Sequence, residues 1–237
     1  MVNKEMKMAD LVHQNYHILP IINRFGIRLG FGDKMIMQIC AEKNIDTDFF
    51  VEVVNVFLND EYFPQENLQR FSVSSILGYL KKSHDFFINV KLDSIEKKIN
   101  ELIEHCCRDN STKIELIKNF YIEYKNELIE HIKYEDEQIF PYVNKVLKAI
   151  DKNEKFESDD FSIEDYLENH TDVEEKLFDL KNLIIKYLQL PKEVEISNEI
   201  LFELFDLEKD LQNHQNFEEK VLVPVVVKLE QELKSKN

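Results

Sequence analysis

The chain has 237 residues, 43% of them hydrophobic, and a formal net charge of −16. Apolar content of this size supports a substantial core, while 46 acidic against 30 basic residues argues against nucleic acid and anionic membranes as partners, since both are bound through clustered Lys and Arg. Only four glycines occur, all among the first 78 residues, and apolar positions recur at three- and four-residue spacing, so an all-α fold is predicted.

Residues 1–59 read as a small helical N-terminal domain. Helices are predicted from Ala9 to Tyr16 and from Ile18 to Phe25, meeting near Pro20. His13 and His17, four residues apart, are spaced to share a helix face, with an ordinary helix surface as the plainer reading. The segment Gly26-Ile-Arg-Leu-Gly-Phe-Gly32 interrupts the pattern, a further helix runs from Asp33 to about Lys43, and Asp46 offers an N-cap to Phe49–Leu58. Residues 60–71 form a polar linker containing Pro64, and residues 72–237 form the larger domain.

That domain carries four long helical patterns. The first starts near Ser72, carries Leu80, His84 and Ile88, and reaches His105 with a break expected around Asp93-Ser94. His105 in its last turn suits the negative end of the helix dipole. The second starts at Thr112, with Glu115 completing a capping box, and passes through His131 and Glu135 to beyond Pro141. The polar stretch Asp151–Asp160 separates it from the third, which starts at Ser162, carries His170 and ends before Pro191. The fourth starts near Ser197 and carries His214 and Glu218. Pro141 and Pro224 fall inside apparent helices, where a missing N–H and a clash with the preceding turn predict a local break in the ladder. The Phe and Tyr stripes are read as core.

The second and fourth patterns share a motif. His131-Ile-Lys-Tyr-Glu135-Asp-Glu-Gln-Ile-Phe-Pro141 returns as His214-Gln-Asn-Phe-Glu218-Glu-Lys-Val-Leu-Val-Pro224. In each copy a His and a Glu four residues on share one helix face, and a second acid follows the Glu. With His84 and His170 from the first and third patterns, the domain reads as a duplicated helix pair and therefore as a pseudo-twofold four-helix bundle. Imidazole and carboxylate donors suit Fe, Mn or Zn. Six candidate ligands follow: His84, His131, Glu135, His170, His214 and Glu218. Two carboxylates on a pseudo-twofold suit two metals, with Glu135 and Glu218 as the bridging candidates. Glu127 and Asp210, one turn before each motif His, are either acceptors for the imidazoles or solvated acids. Glu174 is spaced to join His170, but Ile88 stands at the matching place after His84, so it is read as a surface acid or an outer partner.

No apolar run approaches the roughly 20 residues of a membrane span, and the N-terminus lacks a signal-peptide apolar core. Cys40, Cys106 and Cys107 are odd in number and two are adjacent, which is not a secreted disulfide framework. A cytoplasmic protein with reduced thiols is expected.

At the doubled motif, residues 72–234 resemble the hemerythrin-like superfamily, and the added N-terminal domain resembles that of the repair-of-iron-centres family. The resemblance implies an all-α, up-down four-helix hemerythrin-like bundle preceded by a small helical domain. It also implies two non-haem irons joined by an oxo or hydroxo bridge, held by the six residues above. The implied role is in nitrosative and oxidative stress, by iron donation to damaged iron–sulfur proteins or by chemistry on NO, O₂ or peroxide. The alternative is an O₂- or NO-binding sensor without catalysis. The family's N-terminal Cys-Cys pair is replaced by Gly30 and Phe31, which removes thiol chemistry there and leaves Phe31 as an expected apolar docking contact.

Overall fold

The computed structural model describes residues 1–59, 61–62, 71–105, 111–153, 161–168, 174–188 and 194–236. His170, Cys106, Cys107, most of the expected linker and most of the 151–160 connection lie outside the described residues, as do the side chains of His105 and Glu174. Among the described residues the regular elements are helices, with one isolated bridge between Lys7 and Met35. In order they are α1 (Met8–Gln14), a 3₁₀ turn (Tyr16–Ile18), α2 (Leu19–Arg24), α3 (Ile36–Glu42) and α4 (Thr47–Leu58). Then come α5 (Val73–Phe86), α6 (Asp93–His105), α7 (Ser111–Tyr134), α8 (Phe140–Lys152), α9 (Ile163–Glu168), α10 (Glu174–Tyr187), α11 (Val194–Phe217) and α12 (Val223–Lys236). The fold is the expected all-α, four-helix up-down bundle, its first bundle helix made of α5 and α6.

Among the described residues, three π-helical turns join consecutive elements: Phe87–Leu92, Glu135–Ile139 and Glu218–Leu222. The last two are the ladder breaks expected of the prolines. Pro141 cannot donate to the Glu137 carbonyl, nor Pro224 to that of Lys220. The ladder widens just upstream, so that the Phe140 N–H donates to the Glu135 carbonyl and the Val223 N–H to that of Glu218, each five residues back. The break in the first bundle helix falls at Phe87–Leu92, one turn before its expected place, and no proline marks it.

The chain divides into two compact units, one of Met1–Ser83, Lys145–Leu167 and Asn213–Asn237, the other of His84–Asn144 and Glu168–Gln212. In the first unit the N-terminal helices bury Leu11, Ile21, Ile22, Ile36, Cys40, Phe50 and Val54. Asp46 caps α4, accepting from the Phe49 N–H at 3.0 Å, and Asn55 ties down the chain start by exchanging two hydrogen bonds with the backbone of Val2. Gly26 (φ 72°) closes α2 in the left-handed region, which glycine adopts without strain. Ser162 and Asp165 cap α9 reciprocally, and the Ile163 N–H donates to buried Glu230 at 3.0 Å.

An aromatic cluster holds the N-terminal helices to bundle elements of the same unit. Phe25 stacks on Tyr79 of α5 at 5.5 Å, Phe49 meets Phe71 at 5.3 Å, and both Phe49 and Tyr79 meet Phe217 of α11 edge-on, at 6.2 and 5.1 Å. Phe25, just past the end of α2, and Phe49 of α4 make this contact, and Phe31, expected as an apolar docking contact, is half-buried like Phe25.

The second unit is a four-helix core. One apolar seam comes from each helix: Ile95, Ile99 and Leu102 of α6; Ile117, Tyr121, Tyr124 and Leu128 of α7; Leu177, Leu180 and Ile184 of α10; Leu204, Leu207 and Leu211 of α11. The Tyr121 hydroxyl donates to the Leu92 carbonyl, a residue of the first π turn whose backbone it anchors. Lys181, nearly buried, pairs with Glu208 and lies 4.4 Å over the Phe205 ring.

Several boundaries differ from expectation. α11 begins at Val194, three residues before Ser197, and α7 begins at Ser111. His13 and His17 do not share a helix, because Asn15 between them is extended (φ −155°) and starts a separate 3₁₀ turn. Phe178, Tyr187, Phe202 and Phe205 are exposed, although aromatic stripes were expected in the core.

Phe49 sits among four aromatic rings. Its replacement by Ala is expected to cost about 3–5 kcal/mol, read as a lowered midpoint in chemical denaturation, with the aromatic cluster loosened first.

Candidate metal centre

The second unit brings three sequence-predicted residues together around one carboxylate. Glu135 is the first residue of its π turn and is fully buried. Its Oε2 lies 3.1 Å from Nε2 of His84, and its Oε1 lies 3.2 Å from Nε2 of His131 one helical turn earlier. His84 is buried, and its ring stacks nearly parallel (6°) on that of Phe140 at 5.3 Å. Its other nitrogen, Nδ1, lies 3.1 Å from Oδ1 of Asp136.

The first unit holds the second copy of the motif. Glu218, first residue of its own π turn and 2% exposed, lies with Oε1 3.4 Å from Nε2 of His214. The Tyr166 hydroxyl of α9 approaches its Oε2 at 3.5 Å. His84, Glu135, His214 and Glu218 are all buried, and each offers a ligand-type atom. In both copies the second acid diverges from the motif pair: Asp136 reaches the distant His84, while Glu219 accepts from Gln215 at 2.9 Å on its own helix.

This donor set fits a metal. An isolated carboxylate is costly to bury, and Glu135 meets an imidazole at each oxygen. Two ligands roughly 2.1 Å from one ion and at a right angle stand roughly 3 Å apart, which is the spacing of Glu135 from His84 and from His131. Nitrogen and carboxylate oxygen together suit iron, manganese or zinc.

Other candidates fall elsewhere. Glu127 pairs with Lys176, and Asp210 is buried at 4% exposure. Asp136 and Tyr166 were not foreseen. Asp136 carried a signal, since an acid follows the Glu in both copies, but its partner lies 52 residues away. Tyr166 carried none. The Cys40 thiol is fully buried, and burial pushes its pKa from 9.0 up to about 11, against a smaller lowering by its hydrogen bond to Thr47.

The sequence profile of the Hemerythrin HHE cation binding domain matches residues 89–226, more than half of the chain. The chain belongs to the hemerythrin family. The matched span takes in His131, Glu135, His170, His214 and Glu218, and His84 lies just before it. Similarity extends further to the iron-sulfur cluster repair protein ScdA of Staphylococcus haemolyticus, 19% identical over 223 residues, covering 94% of this chain and 98% of that protein. ScdA from two strains of Staphylococcus epidermidis is 21% identical over 225 residues, with the same coverage. Coverage of this extent takes in the N-terminal helices as well as the bundle, in keeping with the resemblance to the repair-of-iron-centres family.

Glu135→Ala should strip far more metal than Glu127→Ala, because Glu127 is engaged by Lys176; metal quantitation on both purified variants decides it. Cys40 should react slowly with an alkylating agent at neutral pH, since the thiolate is the nucleophile. Its folded pKa lies above 9.0, so the folded state binds more protons than the unfolded between pH 9 and 11. Its contribution to stability is therefore complete below pH 9 and is lost as pH rises through 11, an alkaline loss that Cys40→Ser should reduce in denaturation experiments.

Proposed function

We propose that the protein is a non-haem di-iron protein of nitrosative and oxidative stress, acting in the repair of iron centres. The observation that carries this reading is the fully buried Glu135 carboxylate with an imidazole on each oxygen, together with the same His–Glu pair repeated at His214 and Glu218. His84, His131, His170 and His214 would serve as the imidazole ligands, and Glu135 and Glu218 would bridge two irons. Bound iron supplies one-electron redox chemistry and open coordination positions for NO, O₂ or peroxide. The chain's own part is to hold the donors in a dry interior, where Phe140 against His84 and Phe217 beside Glu218 exclude water.

The repair role is supported by relatives named as iron-sulfur cluster repair proteins, and damaged iron–sulfur proteins are the proposed clients in the cytoplasm. Residues 1–59 are proposed as a covering domain, joined through 60–71 to the bundle of residues 72–237. The packing of Phe25 and Phe49 on Tyr79 and Phe217 supports that part, since Phe217 directly precedes Glu218. No helix among the described residues is long and apolar enough to cross a membrane.

A second reading, reversible binding or sensing of O₂ or NO without turnover, is favoured by one feature of the N-terminal domain. Its glycine loop carries no thiol, and Cys40 is buried as the neutral form. Stopped-flow absorbance with NO and O₂ separates the two readings: a stable, reversible spectrum means binding, and product formation with spectral decay means turnover.

Protein purified without added metal should carry about two irons per chain, by metal quantitation. Metal that binds only the folded state stabilises it by mass action, so the metal-free bundle should melt below the loaded one. A single zinc with no capacity for iron, or equal melting of the two forms, would sink the di-iron reading.

A further inference from the structure

The acid that follows the motif Glu has no place in the proposed ligand set, and the two copies use it differently. In the first, Asp136 Oδ1 lies 3.1 Å from Nδ1 of His84, while Nε2 of the same ring lies 3.1 Å from Glu135. Neighbouring side chains on a helix diverge by about 100°, so two of them seldom serve one partner. Here the imidazole stands edge-on between them and offers a nitrogen to each. Its plane is set by Phe140, stacked on it at 5.3 Å. The Asp136 carboxylate is within hydrogen-bond reach of Nδ1 and holds the ring from the side opposite Glu135. The second-copy acid, Glu219, is instead engaged by Gln215.

We propose that Asp136 is a positioning residue that holds the His84 ring by its Nδ1 and so keeps Nε2 turned toward Glu135, a task without a counterpart at Glu219. Asp136 sits on a surface-facing position, its side chain 38% exposed, so it can be replaced without opening the core. The consequence for metal rests on the di-iron reading; the hold of Asp136 on the ring does not.

The test uses the full chain in two forms. First, spectra of the metal-free protein, with the His84 signals assigned from a His84→Gln spectrum, report nuclear Overhauser contacts between the His84 and Phe140 rings. These contacts should be present in wild type and in Asp136→Glu, and weakened in Asp136→Ala. Second, iron(II) release to a ferrous chelator should be roughly 10- to 100-fold faster in Asp136→Ala, the range for lost outer partners of metal ligands. It should recover in Asp136→Glu and be unchanged in Glu219→Ala. No contact between the two rings in wild type, or the same contacts in Asp136→Ala, overturns the proposal. So does a changed spectrum with iron release left at the wild-type rate. If wild type takes up no iron, the di-iron reading fails and the spectra alone decide the positioning role.

Discussion

A carboxylate with no exposure to water dominates the interior of this protein. Burying an ionised Glu135 costs on the order of several kcal/mol unless opposite charge or good donors meet both of its oxygens. His84 and His131 meet them, from two different helices, at 3.1 and 3.2 Å. Such a cluster favours the fold only when every member is satisfied. The placement of His84 and His131 in the second unit is tied to this demand, since a shift of either by one residue would rotate an imidazole off the carboxylate.

The π turns answer the same demand from the backbone. Glu135 and Glu218 each open a π turn, and each turn is followed by a proline one residue into the next helix. The proline removes one ladder donor and the widened turn supplies another, from Phe140 and from Val223. Phe140, the first residue after its turn, stacks on His84, while Asp136, inside the turn, reaches the far nitrogen of that ring. One local irregularity thus aims the carboxylate and braces the ring that faces it.

The first unit is held together by apolar means. Its aromatic cluster of Phe25, Phe49, Phe71, Tyr79 and Phe217 packs the N-terminal helices onto α5 and α11, beside Glu218. Gly30 and Phe31 carry no thiol, and Cys40 is buried in the packing of these helices.

Much of this was legible in the chain itself. Helical periodicity, the shortage of glycine and the repeated His-x-x-x-Glu with its trailing proline determine an all-α duplicated bundle and place His131 with Glu135 and His214 with Glu218, because i and i+4 are neighbours on any helix. The prolines announced a break, although its π form depends on which carbonyls find new donors. Pairings across large separations in sequence were decided by tertiary structure alone. His84 could be proposed as a ligand, but its approach to Glu135, its contact with Asp136 and its stacking on Phe140 depend on how α5 lies against α7 and α8. The rings that meet Tyr79 are Phe25 and Phe49, which no pattern in the sequence singled out, and Glu127 pairs with Lys176, a partner its spacing alone could not assign. Local pattern sets which residues share a face; only the packing of one helix on another selects which face meets which, and so which polar atom is buried beside its partner.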